Sequence, residues 1–467
     1  MGEVPIRDFM AYDIGRYYWS AAIMAILGDT GIVALRVATS VFQAIALFIG
    51  LMLLTRPSPK SNLLFWLLAI ITLMVWMFPQ FRMFDMSLPI ILIGALSFLV
   101  YRPSSRRYFV AGLTLGIIAV FGRNHGLYGV VGSLCVIFYI SGRREDGPPL
   151  IKALTTWGLG IVTGYLPVLI FLTIVPGFAS AYWQSILLLF EIKATNYPLP
   201  IPWPWLIPFG KVTVFHAICG VLEGVFFIAI VAFGLLGIVW VIRDKFQGKP
   251  VPPVLLASVF LALPYAHYAY SRPDISHLTS GIPPFLIGVL ALLINQPAKV
   301  KWPLAALLCG ASLLLMLPAH PGLLCHSQPC IEINVAGDKL IVDRSTARNV
   351  ATFRTLAEQF APDGRTFIAA PFWPGAYAAL ERKSPVWEIY MLFPRGIAFQ
   401  QAEIERIKVA NPGFAVILDA ALDGREDLRF RNTHPMIEQY IRENFDRLDV
   451  NVGNPTVQIY TRKPVTQ

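Results

Sequence analysis

Ten apolar runs divide the first two thirds of the chain, near 32–54, 63–79, 86–101, 108–122, 126–141, 153–175, 217–242, 253–270, 279–295 and 303–318. Each approaches the length a helix needs to cross about 30 Å of hydrocarbon. Hydrocarbon offers backbone amides no partner outside their own segment, so runs of this kind can only be helices packed side by side. The rest of the composition agrees: mean hydropathy is +0.60 and only 14% of the 467 residues are charged. A water-soluble fold of that length could not hide so much apolar surface. The expected fold class is a polytopic α-helical membrane protein of about ten spans with a C-terminal soluble α/β domain.

The net charge of +10 does not indicate nucleic acid, because the cations fall in short clusters between apolar runs. Thirteen of them occupy brief alternate loops: Arg56/Lys60, Arg102/Arg106/Arg107, Arg143/Arg144/Lys152, Arg243/Lys245/Lys249 and Lys299/Lys301. The other connecting segments are longer in total and carry seven, namely Arg7, Arg16, Arg82, Arg123, Lys193, Lys211 and Arg272. The positive-inside rule then puts the first set in the cytoplasm, and residues 1–31 and everything after Pro318 outside. Residues 1–19 lack the basic and apolar regions of a cleavable signal. The expected location is a bacterial inner (plasma) membrane, with residues 32–318 spanning it and 319–467 extracytoplasmic.

The tail alternates strand and helix patterns: strands at 339–343, 366–370, 414–419 and 457–460, and helices at 346–360, 400–410 and 435–445. Its neck carries Cys325 and Cys330. A local disulfide is favoured over free thiols, and both over a metal site using His320 or His326. Cys135, Cys219 and Cys309 lie in spans and read as packing residues. The loop 176–216 holds an amphipathic stretch, 182–192, and then YPLPIPWPWLIP. Proline at that density excludes regular helix, and the aromatics suit the membrane interface or the wall of a groove. The sequence shows no internal repeat, Walker loop, dinucleotide fingerprint or zinc-protease motif.

Ionisable groups at span ends are costly unless they are paired or wet. Four such groups share the outer face by this topology: Asp8/Asp13/Arg16, Arg82/Asp85, Arg123/His125 and Arg272/Asp274/His277. Carboxylates beside several cations suit transfer from a phosphorylated carrier. A carboxylate takes the proton of an attacking hydroxyl, while arginines or a carboxylate-held metal stabilise the departing phosphate. The competing reading makes each cluster a plain marker of a helix end, which four coincident clusters disfavour.

The order of these motifs resembles the GT-C superfamily, polytopic glycosyltransferases that use polyprenyl-phosphate sugars, including protein O-mannosyltransferases and the aminoarabinose transferases of lipid A. GEVPIRDFMAYDIGRYYWSAAIMAILGDTGIVALR (2–36) is similar to their first outer loop and following helix. RMFDMSLP (82–89) looks like their second acidic motif, with Asp85 at the matching position. GLTLGIIAVFGRNHGLYG (112–129) puts Arg123 at a family cation, and SRPDISHLTSGIPPFL (271–286) resembles a late outer loop with an Arg and a His. The resemblance covers essentially the whole chain through short, degenerate motifs. It departs in one respect: the first span and leading acidic motif of the family have no counterpart before Gly2. An upstream start, a substitute role for Asp8 or Asp13, and a non-catalytic chain are the three readings, in that order.

The resemblance implies an inverting glycosyltransferase that moves a sugar from a polyprenyl-phosphate donor to a glycan, lipid or protein acceptor at the outer face. Asp8, Asp13 and Asp85 are the candidate catalytic carboxylates, Asp85 foremost, and Asp85 is also the candidate ligand of a divalent metal ion. Arg82, Arg123, Arg272 and His277 are the candidate phosphate-binding residues. Membrane lipids are the expected partners, and PFWPGAYAALERKSP (371–385) is the candidate acceptor contact, with helix packing as its alternative. The alternatives for the whole chain are a flippase or transporter, which lacks support in polar span residues or an inverted repeat, and a non-catalytic binder of lipid-linked sugar.

Overall fold

The computed structural model describes residues 2–55, 63–78, 83–141, 147–192, 196–449 and 453–464. Thirteen helices build the first part: α1 (Ile14–Leu27), α2 (Ile32–Thr55), α3 (Leu63–Val75), α4 (Met83–Tyr101), α5 (Ser105–Phe121), α6 (Arg123–Ser141), α7 (Leu150–Ile174), α8 (Phe178–Ile192), α9 (Val214–Phe246), α10 (Pro253–Ser271), α11 (Ile275–Gly281), α12 (Pro283–Leu293) and α13 (Ala298–Met316). Among the described residues seven of them, α2, α4, α6, α7, α9, α10 and α13, are long and apolar enough to cross a membrane. An eighth crossing is α11 with α12, bent by 54°. The bend falls at Ile282-Pro283-Pro284, where two residues in succession have no N–H to continue the ladder. α3, at 13 residues, and α5, at 17, are shorter. All ten apolar runs are therefore helical among the described residues, but seven, or eight with the bent pair, have the length and hydropathy of a span, against the ten expected.

The helices enclose one apolar core, with Trp76, Tyr265, Phe65 and Phe227 fully buried. α5 and α7 approach most closely, through Gly112 and Gly116 on one side and Gly160 and Gly164 on the other. A Cβ at Gly112 would collide with the Trp157 carbonyl, and one at Gly164 with that of Leu113. Small residues at a crossing let backbones touch, which is how helices associate where burial from water gives no drive. One end of the bundle carries the basic residues: there Lys245 donates to the Tyr139 carbonyl at 2.6 Å, and Lys301 lies over the Trp302 ring. The other end carries α1, α8 and the C-terminal part, and is called the domain-bearing face below. Arg56, Lys60, Arg143, Arg144 and Lys193, used for the charge argument, lie outside the described residues.

After α13 come α14 (Pro321–Ser327), β1 (Cys330–Val335), β2 (Asp338–Asp343), α15 (Arg344–Phe360), β3 (Ile368–Ala370), α16 (Pro374–Ala379), α17 (Ile397–Ala410), β4 (Phe414–Leu418), α18 (Phe430–Thr433), α19 (Pro435–Asn444), β5 (Phe445–Leu448) and β6 (Val457–Arg462). A Cys325–Cys330 disulfide joins α14 to the β1–β2 hairpin. The main sheet runs β3-β4-β6-β5, with β3 and β4 parallel and the other pairs antiparallel. Alternation along the strands gives it two buried faces. Ile368, Ala415, Ile417 and Tyr460 meet α17 and α19 on one side, while Phe367, Ala369, Phe414 and Val416 meet α15 and α16 on the other. The sequence patterns correspond to α15, α17, α19, β2, β3, β4 and β6, and α16 falls in 371–385, where a packed helix was the alternative reading; they did not anticipate β1 or β5. β5, FDRL, points two charged side chains outward and so carries little apolar signal.

This α/β part rests on the bundle through named contacts. Trp387 donates from Nε1 to the Ile6 carbonyl at 2.8 Å and accepts from the Met10 amide at 2.7 Å. Tyr197 donates to the Leu392 carbonyl and stacks on Phe393. Asp338, at the hairpin turn, accepts from the Val33 amide at 2.9 Å and so caps α2 from a distant part of the chain. In the expected acceptor contact, 371–385, Ala376 and Tyr377 are buried and Trp373 meets Phe353 edge-on, while Gly375, Ala378, Glu381 and Lys383 are exposed.

Candidate functional site

Four helix ends meet at the domain-bearing face. α1 brings Arg16 and, at its N-cap position, Asp13; α4 brings Asp85; α6 brings Arg123 and His125; the end of α5 brings the Phe121 carbonyl. Gly15 allows α1 to lie against the Val120 carbonyl at the end of α5. Asp85 is buried, and both its oxygens are engaged. The Arg16 guanidinium forks onto them, with Nη1 at 3.2 Å from Oδ2 and Nη2 on Oδ1, and His125 Nε2 lies 3.0 Å from Oδ1. Arg16 also donates to the Phe121 carbonyl at 2.6 Å. A buried carboxylate survives in this setting only because a bidentate arginine and a ring nitrogen replace its water.

Asp13 lies beside this group. Its Oδ1 is 3.0 Å from Arg123 Nε and its Oδ2 accepts from the Arg123 amide at 3.1 Å. Burial pushes the Asp13 carboxyl up to about 6, against the pull of Arg123 and Arg16. Arg123 reaches on to Ser185 Oγ at 2.9 Å, and its guanidinium lies over the Tyr182 ring. It thus ties α8 to the cluster. Tyr268 connects a second group, lying 5.4 Å from the His125 ring and 6.0 Å from that of His277.

In that second group Asp274 caps α11, accepting from the His277 amide at 2.9 Å and contacting His277 Nδ1 at 2.8 Å. Arg272 stands between two carboxylates, Asp274 at 2.9 Å and Asp423 of the α/β part at 2.9 Å. Burial raises the Asp274 carboxyl, but His277 and Arg272 more than offset this and hold it at about 2. Asp423 has φ +54°, a left-handed conformation, beside Gly424 at +73°. That turn presents its carboxylate to Arg272.

The structure thus brings together Asp13, Asp85 and Arg123, with Arg272 and His277 one aromatic layer away. It leaves Asp8 apart. Asp8 closes a local turn, accepting from the Val4 amide at 2.7 Å and from the neighbouring Arg7, whose guanidinium holds the carboxyl below the usual carboxylate range. Arg82 lies outside the described residues. Arg16 and His125 are the site residues that the sequence reading underused: each appeared in a charged cluster, but neither was assigned a role. Glu223 was passed over altogether. It lies within α9, half-buried, with no hydrogen-bond or ion-pair partner among the described residues.

The residues as placed do not fit a metal at Asp85. Among the described residues no three His, Cys, Asp or Glu side chains group closely enough to hold an ion, and the Asp85 oxygens already face Arg16 and His125. No step is routed through a metal below.

No protein-family model matches the chain, and no curated protein matches it. Among solved structures, the apo oligosaccharyltransferase of Archaeoglobus fulgidus aligns at 11% identity and a TM-score of 0.44, over 88% of this chain and 62% of that one. The same enzyme tethered to an acceptor peptide with an NVT sequon aligns at 12% identity and a TM-score of 0.42, over 99% and 68%. Its complex with an inhibitory peptide and a dolichol-phosphate aligns at 12% and 0.38, over 97% and 67%. The chain spans under two thirds of the first of these, and likeness at this level carries no argument about activity.

Proposed function

We propose that this chain is a membrane glycosyltransferase that moves a sugar from a polyprenyl-phosphate donor onto an acceptor hydroxyl at the domain-bearing face, and that this face is the extracytoplasmic one. The observation that carries the reading is the meeting of two buried carboxylates, two arginines and a histidine at the ends of α1, α4 and α6, beside apolar spans. Charged groups at that depth are retained against their desolvation cost where they act. The sequence resemblance supports the same reading.

In the proposed reaction Asp13 is the base. A carboxyl near 6 is half-ionised at mildly acid pH and takes a proton with useful driving force near neutrality. The acceptor oxygen attacks the anomeric carbon as its proton passes to Asp13. The bond from that carbon to the phosphate oxygen breaks with inversion, and the lipid phosphate leaves with the electron pair. Arg123 and Arg272 balance the charge on the phosphate. Asp85 does not touch the reacting atoms; it fixes Arg16 and His125, so it is a positioning residue. The sequence reading ranked Asp85 above Asp13, and the proposal inverts that order because the Asp85 oxygens are already occupied.

The test is release of polyprenyl phosphate from a panel of polyprenyl-phosphate sugars by the purified chain in lipid nanodiscs. Transfer that rises through about pH 6 and is lost in Asp13→Asn supports the proposal. Turnover in that variant equal to the unaltered chain removes Asp13 as the base, and no turnover of any donor rejects the transferase. A second reading, a non-catalytic binder of lipid-linked sugar, is favoured by one observation: Asp13 and Asp85 are both ion-paired as they stand. Binding of donors without turnover is its signature.

A further inference from the structure

The side of α6 turned away from the bundle reads Leu127, Val131 and Phe138, exposed by 63%, 45% and 53%. In an apolar span this is a stripe facing lipid. Exposed polar groups border it: Asn124 at its domain-bearing end, Cys135 further along, and one histidine from the neighbouring helix. His267, on α10, is exposed, and its Nδ1 lies 3.1 Å from the hydroxyl of Tyr128 on α6. Its Nε2 has no partner among the described residues. His267 is four residues from the end of α10 and Tyr128 five from the start of α6. At 1.5 Å per residue both lie roughly 6–8 Å below the domain-bearing ends of their helices. An imidazole with an unsatisfied nitrogen at the edge of hydrocarbon costs free energy unless something polar meets it.

The pair is joined to the cluster described above. The Tyr128 ring meets that of Tyr265 edge-on at 5.5 Å, and the Tyr265 hydroxyl lies 3.0 Å from His125 Nδ1. Toward the domain-bearing end the neighbouring elements are tied together. Arg123 holds Ser185 of α8, Asn196 of the following loop donates to Ser271 at the end of α10 at 3.1 Å, and Pro202 and Pro204 press on Gly224 of α9. α8 is thus tied to the start of α6, and the loop from Asn196 to Pro204 to the end of α10 and to α9. His267 itself opens on the apolar flank that Leu127 and Val131 form. A ligand arriving there is one carried by the bilayer.

We propose that His267, set by Tyr128, docks the phosphate of the membrane-borne donor on this flank and guides it toward the cluster. The inference rests on the transferase reading for the identity of the donor. With the Tyr128 hydroxyl donating to Nδ1, Nε2 carries the hydrogen and donates to a phosphate oxygen. Tyr128 is then a positioning residue, and the lipid chain lies along Leu127 and Val131.

The test uses the whole chain in phosphatidylcholine nanodiscs, with polyprenyl phosphate as the probe, so that binding is read without turnover. His267→Ala weakens binding about tenfold, as loss of one hydrogen bond to an anion does. Tyr128→Phe weakens it less, and His267→Arg restores it. In turnover assays KM for the donor rises in His267→Ala while kcat holds. Wild-type binding by both His267→Ala and Tyr128→Phe overturns the proposal, whatever the assay of transfer shows. So does a second outcome: native mass spectrometry in which His267→Ala sheds bound phosphatidylglycerol while keeping polyprenyl phosphate, which would make this a site for bulk anionic lipid. Binding that depends on His267 with no transfer from any donor leaves the docking site standing and rejects the enzyme.

Discussion

The chain holds the same three-residue arrangement twice. In the bundle, Asp85 is gripped by the Arg16 fork and by His125. In the α/β part, Glu388 is gripped by the Arg395 fork, both contacts at 2.9 Å, and by His434 Nε2 at 3.0 Å. The chemistry is alike and the surroundings are not. The Glu388 set is sealed: Glu388 and His434 are fully buried, Thr433 Oγ1 partners His434 Nδ1, Gln400 donates to the Arg395 carbonyl, and Glu403 accepts from the Glu388 amide. The Asp85 set is continued outward by Asp13, Arg123 and Ser185 to a partly exposed edge, and by Tyr268 to a second charged group. A buried carboxylate, arginine and histidine therefore do not identify a site by themselves. Access does.

The sharpest way to break this comparison is Glu388→Ala, which leaves Arg395 buried without a counter-ion. Such losses cost about 3–5 kcal/mol. Proteolysis of the α/β part in urea should report destabilisation of that order, with transfer per folded molecule unchanged; a chain that stays resistant would make the second set idle. Asp85→Asn is expected to act in the reverse sense. Transfer should fall about 100-fold or more as Arg16 and His125 lose their fixed positions, while the chain still elutes as a folded species. Equal effects of the two substitutions on activity would erase the distinction.

A subtler measurement uses pH. The Asp13 carboxyl is raised to about 6 by burial, above the ordinary value of about 4. Between those values the folded chain holds a proton that the unfolded chain has released, so this group's contribution is present at low pH and fades as pH climbs toward 6. Thermal unfolding in detergent should show the unaltered chain losing stability relative to Asp13→Asn from pH 4 to 6, then running parallel to it. A gap that widens in the other direction would mean that ion pairing with Arg123, not burial, sets the titration. The smallest effect concerns the contact between the two parts. Asp423 faces Arg272 as a donor phosphate would, so Asp423→Ala should lower the donor KM by a few-fold. An unchanged KM would remove Arg272 from phosphate binding.

Much of the bundle was legible in advance because hydropathy and helix formation are local. The ten apolar runs became helices with edges shifted by a few residues, and the tail's alternating pattern became β2, β3, β4 and β6 with α15, α17 and α19. The site was legible only in part. Asp8 and Asp13 sit five residues apart with equal claims in the sequence. One closes a turn with its neighbour Arg7, and the other reaches Arg123, 110 residues on. Arg16 gave no sign that its counter-ion lies 69 residues away. His267, inside the run 253–270, was not singled out in the sequence at all.

The sequence alone determined that the chain crosses a membrane repeatedly, where its charges gather, and that an α/β part follows the last span. Those follow from hydrocarbon thickness, amide hydrogen bonding and local periodicity. Only the tertiary structure decided which carboxylate meets which arginine, and which charged trio is sealed and which is continued to a partly exposed edge by Asp13 and Arg123. Ion pairing is chosen by the distance between helix ends in space, and that distance is set by packing such as the glycine crossing of α5 on α7.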